Sequence, residues 1–80
     1  MKNPRLVEVF WRDSAFHRGW ASLRTKREEA TVSICRTAGY LIEETRDQVK
    51  VSHSCDVENE SFADVIAIPR EAIRRVRRLR

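Results

Sequence analysis

The 80-residue chain is long enough for one domain, which we place over residues 1–80, and it carries a net charge of +4 with 35% charged residues. Two cysteines allow at most one disulfide, which excludes a cysteine-rich secreted scaffold. No apolar run approaches the roughly 20 residues of a membrane span, and the N-terminal segment is too charged for a signal peptide. We therefore expect a cytoplasmic protein with no membrane partner.

The charge is unevenly distributed along the chain. Residues 70–80 hold six arginines and one glutamate, or +5, whereas residues 43–64 hold seven carboxylates against Arg46 and Lys50, or −5. The arginine-rich end predicts an attraction for phosphate groups or a contact with an acidic surface, for example the acidic segment of a neighbouring copy. The sequence leaves both interpretations open.

The first part of the chain predicts a strand, a loop and a helix. Loose alternation with β-branched and aromatic residues indicates a strand over residues 5–11. Ser14 is a favourable N-cap residue, and we expect it to cap a turn or helix. Because Gly19 would weaken a helix by about 1 kcal/mol, residues 14–19 are expected to form a loop or a single turn. A regular helix over residues 20–30 has a narrow apolar stripe and should lie on a surface.

The central part predicts a series of short strands. Gly39 is expected in a turn or bulge between two of them. The stretch over 62–68 is continuously apolar, which is typical of a strand buried on both faces. The expected strands are 31–36, 40–45, 49–55 and 62–68, with a polar loop from Asp56 to Ser61.

The last segment is ambiguous. After Pro69 the residues fit a helical stripe, and equally a single 3₁₀ turn over 69–73 followed by a strand over 74–79. A strand so rich in arginine is unusual, so propensity alone favours the helix. Short antiparallel strands without helical crossovers predict a meander, which at this size would close into a small barrel.

The strand run from Thr31 onward, with Ile-Pro-Arg-Glu-Ala-Ile before the final segment, resembles the Sm-like and SH3-like small barrels. In those folds a single 3₁₀ turn precedes the closing strand, so the resemblance favours the turn and strand over residues 69–79. It implies a mostly β (α+β) fold. This would be a five- to six-stranded antiparallel Sm-like/SH3-like barrel with one short helix after the first strand.

Several short motifs are also spaced as in small phage- and prophage-encoded proteins. They are Trp11-x-Asp13-Ser14, Gly19-Trp20, Gly39-Tyr40-Leu41, Ser54 and Ile68-Pro69 followed by Ile73. The chain departs from that pattern in having Arg18 before Gly19 and a richer arginine tail. The resemblance implies a non-enzymatic protein in the host cytoplasm. Sm-like relatives bind RNA as rings, and other small phage proteins sequester nucleotide-derived immune signals.

The candidate binding residues centre on the segment between the two tryptophans. Trp11 and Trp20 have aromatic faces able to stack a base, worth roughly 1–3 kcal/mol each, although tryptophans more often fill a core. His17 and Arg18 are suited to contact a phosphate. The full set is Trp11, Asp13, His17, Arg18, Trp20, Ser54, Arg70 and Arg75.

The sequence argues against metal, cofactor and catalytic sites. Its cysteines and histidines lack the close spacing of zinc ligands, and two glycines cannot build a phosphate loop. Nothing in the spacing sets a nucleophile against a base. We predict a non-enzyme without cofactor that forms a homo-oligomer and binds an anionic, nucleotide-like ligand. The alternatives are an Sm-like RNA or DNA binder and a protein-interaction factor that docks through its arginine-rich C-terminus.

Overall fold

The computed structural model describes residues 4–79, which form one open antiparallel sheet with the strand order β4-β3-β2-β1-β5. A mostly β fold with one short helix after the first strand is thereby confirmed. Within residues 4–79 no ladder joins β4 to β5, so closure into a barrel is not seen. The elements are β1 (Leu6–Asp13), α1 (Leu23–Glu29), β2 (Ser33–Glu44), β3 (Gln48–Asp56), β4 (Ser61–Pro69), a 3₁₀ turn (Arg70–Ala72) and β5 (Ile73–Arg78).

The arginine-rich end is a turn followed by a strand, as the resemblance to small barrels implied. Pro69 is extended, the 3₁₀ turn follows it, and β5 pairs antiparallel with β1. Hydrogen bonding to β1 and packing of Ile73 and Val76 against the core outweigh the helical propensity of the arginines. Tertiary pairing therefore decides the conformation of this segment.

The core consists of a few aliphatic side chains on three strands. On β1 and β3 the buried apolar residues are two positions apart, as the period of two in a strand requires, whereas the buried polar residues Glu8 and Ser52 lie on the opposite side. The fully buried apolar residues are Val7, Val9, Val49, Val51 and Ile68. Trp11, Leu41, Ile66, Ala72, Ile73 and Val76 pack around them while partly exposed. This is a small core for a chain of 80 residues.

The prediction that the fourth strand is buried on both faces is wrong. Of the nine residues of β4, Ile68 is buried and Ile66 is half-buried, and the others are exposed. β4 is an edge strand that pairs with β3 along its length. Its apolar run is therefore covered by only part of the sheet.

The helix after the first strand begins later than predicted. The helix begins at Leu23 and not at residue 20, and the Oγ of Ser22 accepts a hydrogen bond from the backbone N–H of Thr25 at 3.2 Å. Ser14 caps no helix, and its backbone N–H donates to Oδ1 of Asp13 at 2.8 Å. Both serines are good capping residues, and the sequence alone gave no means to choose between them.

β2 is one continuous strand of 12 residues, so the predicted break at Gly39 is wrong. Glycine is needed at this position because the backbone of β2 lies very close to β3. A Cβ at residue 39 would overlap the carbonyl oxygen of Ser52 and lie 2.8 Å from Cγ1 of Val51. Around this point β2 changes partners. Its first part pairs with β1 up to Tyr40, and its last part pairs with β3 from Tyr40 onward.

β3 pairs with β2 as far as Ser52, whereas β3 and β4 remain paired with each other beyond that point. We call this projecting end of the β3–β4 hairpin, residues 53–64, the arm. Ser52 is fully buried at the base of the arm, where its hydroxyl contacts the carbonyl oxygens of Ala63 and Ser54. Asp64 adopts a φ of 55°, a left-handed conformation that aspartate tolerates better than most residues. A buried hydroxyl therefore supports the backbone where the hairpin departs from regular pairing.

Gly39→Ala is expected to destabilise the fold by about 3 kcal/mol, because the added methyl meets backbone atoms that cannot move aside cheaply. Urea unfolding measures the loss. Gly19→Ala is the matched control. Gly19 has a φ of 83° but no atom within 4 Å of an added Cβ, so the change costs backbone strain alone, about 1 kcal/mol. Equal losses for the two variants would contradict the close-approach explanation.

Candidate functional site

Strands β2, β1 and β5 carry four arginines on the side of the sheet that faces away from the core. Alternation along β1 turns Glu8, Phe10 and Arg12 to this side, because Val7, Val9 and Trp11 face the core. The register places both Arg36 and Arg75 opposite Phe10, and Arg77 opposite Glu8. We call this surface the arginine face; its arginines are Arg12, Arg36, Arg75 and Arg77.

Glu8 holds two of the arginines in place. Its Oε2 accepts hydrogen bonds from Nη2 and Nε of Arg36 at 2.9 and 3.1 Å, and its Oε1 accepts one from Nη2 of Arg77 at 2.7 Å. The Glu8 side chain is 9% exposed, against 65% for Arg36 and 50% for Arg77. The carboxylate therefore lies beneath two guanidiniums that remain open to solvent.

The charge state of Glu8 follows from this arrangement. Burial acts to raise the pKa of Glu8, but the hydrogen bonds and positive charges of Arg36 and Arg77 outweigh it and hold the pKa below its ordinary value. Glu8 is thus a carboxylate at neutral pH. With four arginines and one carboxylate, the arginine face keeps a net charge of +3.

Phe10 lies between two guanidiniums. The Cζ atoms of Arg75 and Arg36 are 4.4 and 5.4 Å from the centre of its ring. A guanidinium at this distance is attracted to the negative face of the ring. Phe10 and Glu8 together restrict Arg36, Arg75 and Arg77, so that less side-chain entropy remains to be lost when a ligand binds.

The tryptophan segment is divided between the core and the surface. Trp11 packs against the core and its Nε1 donates to Oγ1 of Thr37 at 3.0 Å, so it faces the side of the sheet opposite to Arg75. Trp20 is fully exposed, at 104% of its reference area. Asp13 ends β1 and accepts the hydrogen bond from Ser14.

His17 bridges two charged residues of α1. Nζ of Lys26 lies 2.8 Å from its Nδ1 and also donates to its carbonyl oxygen at 2.9 Å, while Oε2 of Glu29 lies 2.7 Å from its Nε2. Because an ammonium only donates, Nδ1 accepts and Nε2 carries the proton in this arrangement. His17 therefore ties the loop to the helix, and Arg18 beside it is exposed.

The remaining predicted site residues lie on other elements. Ser54 is on the arm, opposite Ala63, and Arg70 is in the 3₁₀ turn, where its guanidinium donates to the carbonyl oxygen of Thr45. Of the eight residues predicted to bind a ligand, the arginine face includes Arg75. The others are distributed over β1, the loop, the arm and the turn.

Sequence reasoning missed three of the four arginines and the carboxylate that positions two of them. Arg36 and Arg77 are 28 and 69 residues from Glu8, so the strand register alone brings them together. A signal was nevertheless present in the alternation Glu8-x-Phe10-x-Arg12, which places a basic group and an aromatic ring on one side of a single strand.

Comparison of the chain with protein-family models, with curated proteins and with solved structures found no match. In residues 4–79 no helix has the length and apolar character needed to cross a membrane.

Replacing Glu8 by glutamine should destabilise the protein most at neutral pH. A carboxylate whose pKa is lowered by folding adds stability above its ordinary pKa, and this contribution is lost as the pH falls through the lowered value. The difference in melting temperature between wild type and Glu8→Gln should accordingly be largest at pH 7 and should shrink below about pH 4.5. Glu43→Gln, at an exposed carboxylate 3.4 Å from Lys50, is the control and should show little difference at any pH.

Proposed function

We propose that this chain is a non-catalytic protein related in architecture to the Sm-like and SH3-like barrels, and that it binds a phosphate-bearing ligand, nucleic acid foremost, on its arginine face. The strand order β4-β3-β2-β1-β5 and the 3₁₀ turn before the last strand support the architecture. The observation that carries the function is the presence of four arginines on one side of three neighbouring strands, two of them paired with the buried carboxylate of Glu8.

The state of each guanidinium supports anion binding. Glu8 consumes part of the hydrogen-bonding capacity of Arg36 and Arg77, which keep exposed N–H groups. Among residues 4–79, Arg12 and Arg75 make no ion pair with a carboxylate. A guanidinium presents a planar fork of donors that matches two oxygens of a phosphate. The forks of Arg36, Arg75 and Arg77 are already oriented by Glu8 and Phe10.

The spacing of the arginines favours an extended ligand over a single phosphate. Arg75 and Arg77 are two residues apart on β5, or roughly 7 Å along the strand, and neighbouring strands are roughly 5 Å apart. One phosphate cannot engage all four groups on so broad a surface. A nucleic-acid strand, with regularly repeated phosphates, contacts several of them together, and phosphate contacts supply most of the sequence-independent affinity.

Arg12→Gln and Arg75→Gln should each weaken binding of a fluorescently labelled mixed-sequence single-stranded oligonucleotide, measured by anisotropy. Each removed phosphate contact should also reduce the slope of log affinity against log salt by about 0.7. Neither variant removes a partner of Glu8, so the fold should be retained. The matched control is Arg46→Gln, an identical change of charge in the turn between β2 and β3.

Equal effects of Arg46→Gln and Arg75→Gln would mean that binding follows net charge alone and would contradict a site on the arginine face. Absence of oligonucleotide binding at low salt would refute the nucleic-acid proposal. Glu8→Gln adds an independent check, because it raises the charge of the face from +3 to +4 while weakening the fold. We expect the removed negative charge to outweigh the weaker hold on Arg36 and Arg77, so a less stable variant should bind the oligonucleotide more tightly.

A single nucleotide-like molecule, as in a protein that sequesters a signalling nucleotide, is the second candidate. The observation that favours it is the fully exposed ring of Trp20 next to the exposed Arg18. This candidate predicts that one cyclic or linear nucleotide raises the melting temperature and quenches tryptophan fluorescence. Trp20→Ala would abolish both effects, whereas binding at the arginine face should survive this substitution.

A further inference from the structure

The single chain exposes more surface than a compact protein of its mass. Its accessible surface is 6437 Å², whereas a folded monomer of 9.4 kDa exposes about 5,000 Å². Its radius of gyration of 16.4 Å likewise exceeds the value of about 12 Å for a compact domain of this length. With five fully buried apolar residues in the core, the fold has much apolar surface left to cover.

Part of this uncovered surface lies on the connection, the name we give to residues 14–32 between β1 and β2. Phe16, Trp20 and Leu23 are 86%, 104% and 65% exposed, and no residue of α1 is buried. The loop is nevertheless held in place, because Nζ of Lys26 donates to the carbonyl oxygen of His17 at 2.9 Å. Large apolar side chains presented by a restrained loop are typical of a protein-binding surface.

Part of the connection is strongly basic, although Glu28 and Glu29 reduce the net charge of residues 14–32 to +2. Between residues 16 and 27 it carries no carboxylate, and its four cations give this stretch a charge of +4. They are Arg18, Arg24, Lys26 and Arg27. A partner surface should therefore be apolar at its centre and negative around it.

The arm has the complementary properties. Residues 53–64 contain four carboxylates and neither lysine nor arginine, a charge of −4. Val57 at its tip and Phe62 beside it are 59% and 37% exposed. The tip is ordered by Asp56, whose carboxylate accepts hydrogen bonds from the side chain and backbone N–H of Asn59 at 2.8 and 3.2 Å; these bonds lower the pKa of Asp56.

We infer that the arm of one copy docks on the connection of a second copy. Val57 and Phe62 then cover the apolar side chains of the connection, and the acidic arm faces the basic stretch over residues 16–27. If the arm of each copy binds the connection of the other, the two contacts are equivalent and the assembly is a closed two-fold dimer. The excess surface of about 1,400 Å² per chain is close to what two contacts of about 800 Å² per partner would bury.

This inference is independent of ligand binding at the arginine face, because neither surface includes an arginine of that face. Its test uses two variants of the full chain and their mixture. Trp20→Ser disables the connection and leaves the arm intact, whereas Val57→Lys disables the arm and leaves the connection intact. Ile42→Ser is the matched apolar control, at a side chain that is 37% exposed in β2 and belongs to neither surface.

Native mass spectrometry and sedimentation velocity should report a dimer for wild type and for Ile42→Ser. Each single variant should dissociate at least tenfold more readily, with an unchanged circular dichroism spectrum. A mixture of the two variants should form a mixed dimer, because one intact arm still meets one intact connection.

Three results would overturn the inference. The first is a monomeric wild type at the concentrations used for binding. The second is undiminished association of Val57→Lys, which indicates contact between two connections without the arm. The third is a Trp20→Ser variant that keeps its association but loses oligonucleotide binding, which assigns the connection to nucleic acid.

Discussion

The whole sheet depends on the absence of a side chain at Gly39. There the backbone of β2 lies against the carbonyl of Ser52, at the point where β2 leaves β1 and begins to pair with β3. On one side of this contact the strands carry the arginine face. On the other side β3 continues into the arm, with its distortion at Asp64 supported by the buried hydroxyl of Ser52. One close backbone contact thus separates the arginine face from the arm.

Periodicity along single strands predicted much of the fold. In the predicted strand over residues 49–55, a period of two puts Val49 and Val51 on one face, and both are buried. It could not show that β2 runs unbroken through Gly39, because a glycine in a strand and a glycine in a turn look alike in sequence. Periodicity also could not show that β4 lies at an edge of the sheet, because an apolar run occurs in edge strands as well as in central strands.

The candidate site was less accessible to sequence reasoning, for a different physical reason. Arg75 was predicted to bind a ligand because it belongs to the cluster of arginines near the end of the chain. Its partners across the sheet depend on register, which joins Phe10 to Arg36 and Glu8 to Arg77 over long stretches of chain. The aromatic segment around Trp20 was conspicuous in sequence, but the fully exposed Trp20 takes no part in the contacts around Glu8 and Phe10 that residues 4–79 show. In this protein, therefore, the residues that stand out in the sequence are mostly not the residues that the strand register brings together.

The position of β5 at the edge of the sheet has a consequence for solubility. An edge strand offers unpaired backbone groups to any passing strand, and charged side chains are a common protection against such pairing. Here Arg74, Arg75, Arg77 and Arg78 would repel an identical edge from another molecule. A bound polyanion cancels that repulsion, so at high protein-to-ligand ratios occupancy of the arginine face would remove the protection and favour co-precipitation over discrete complexes.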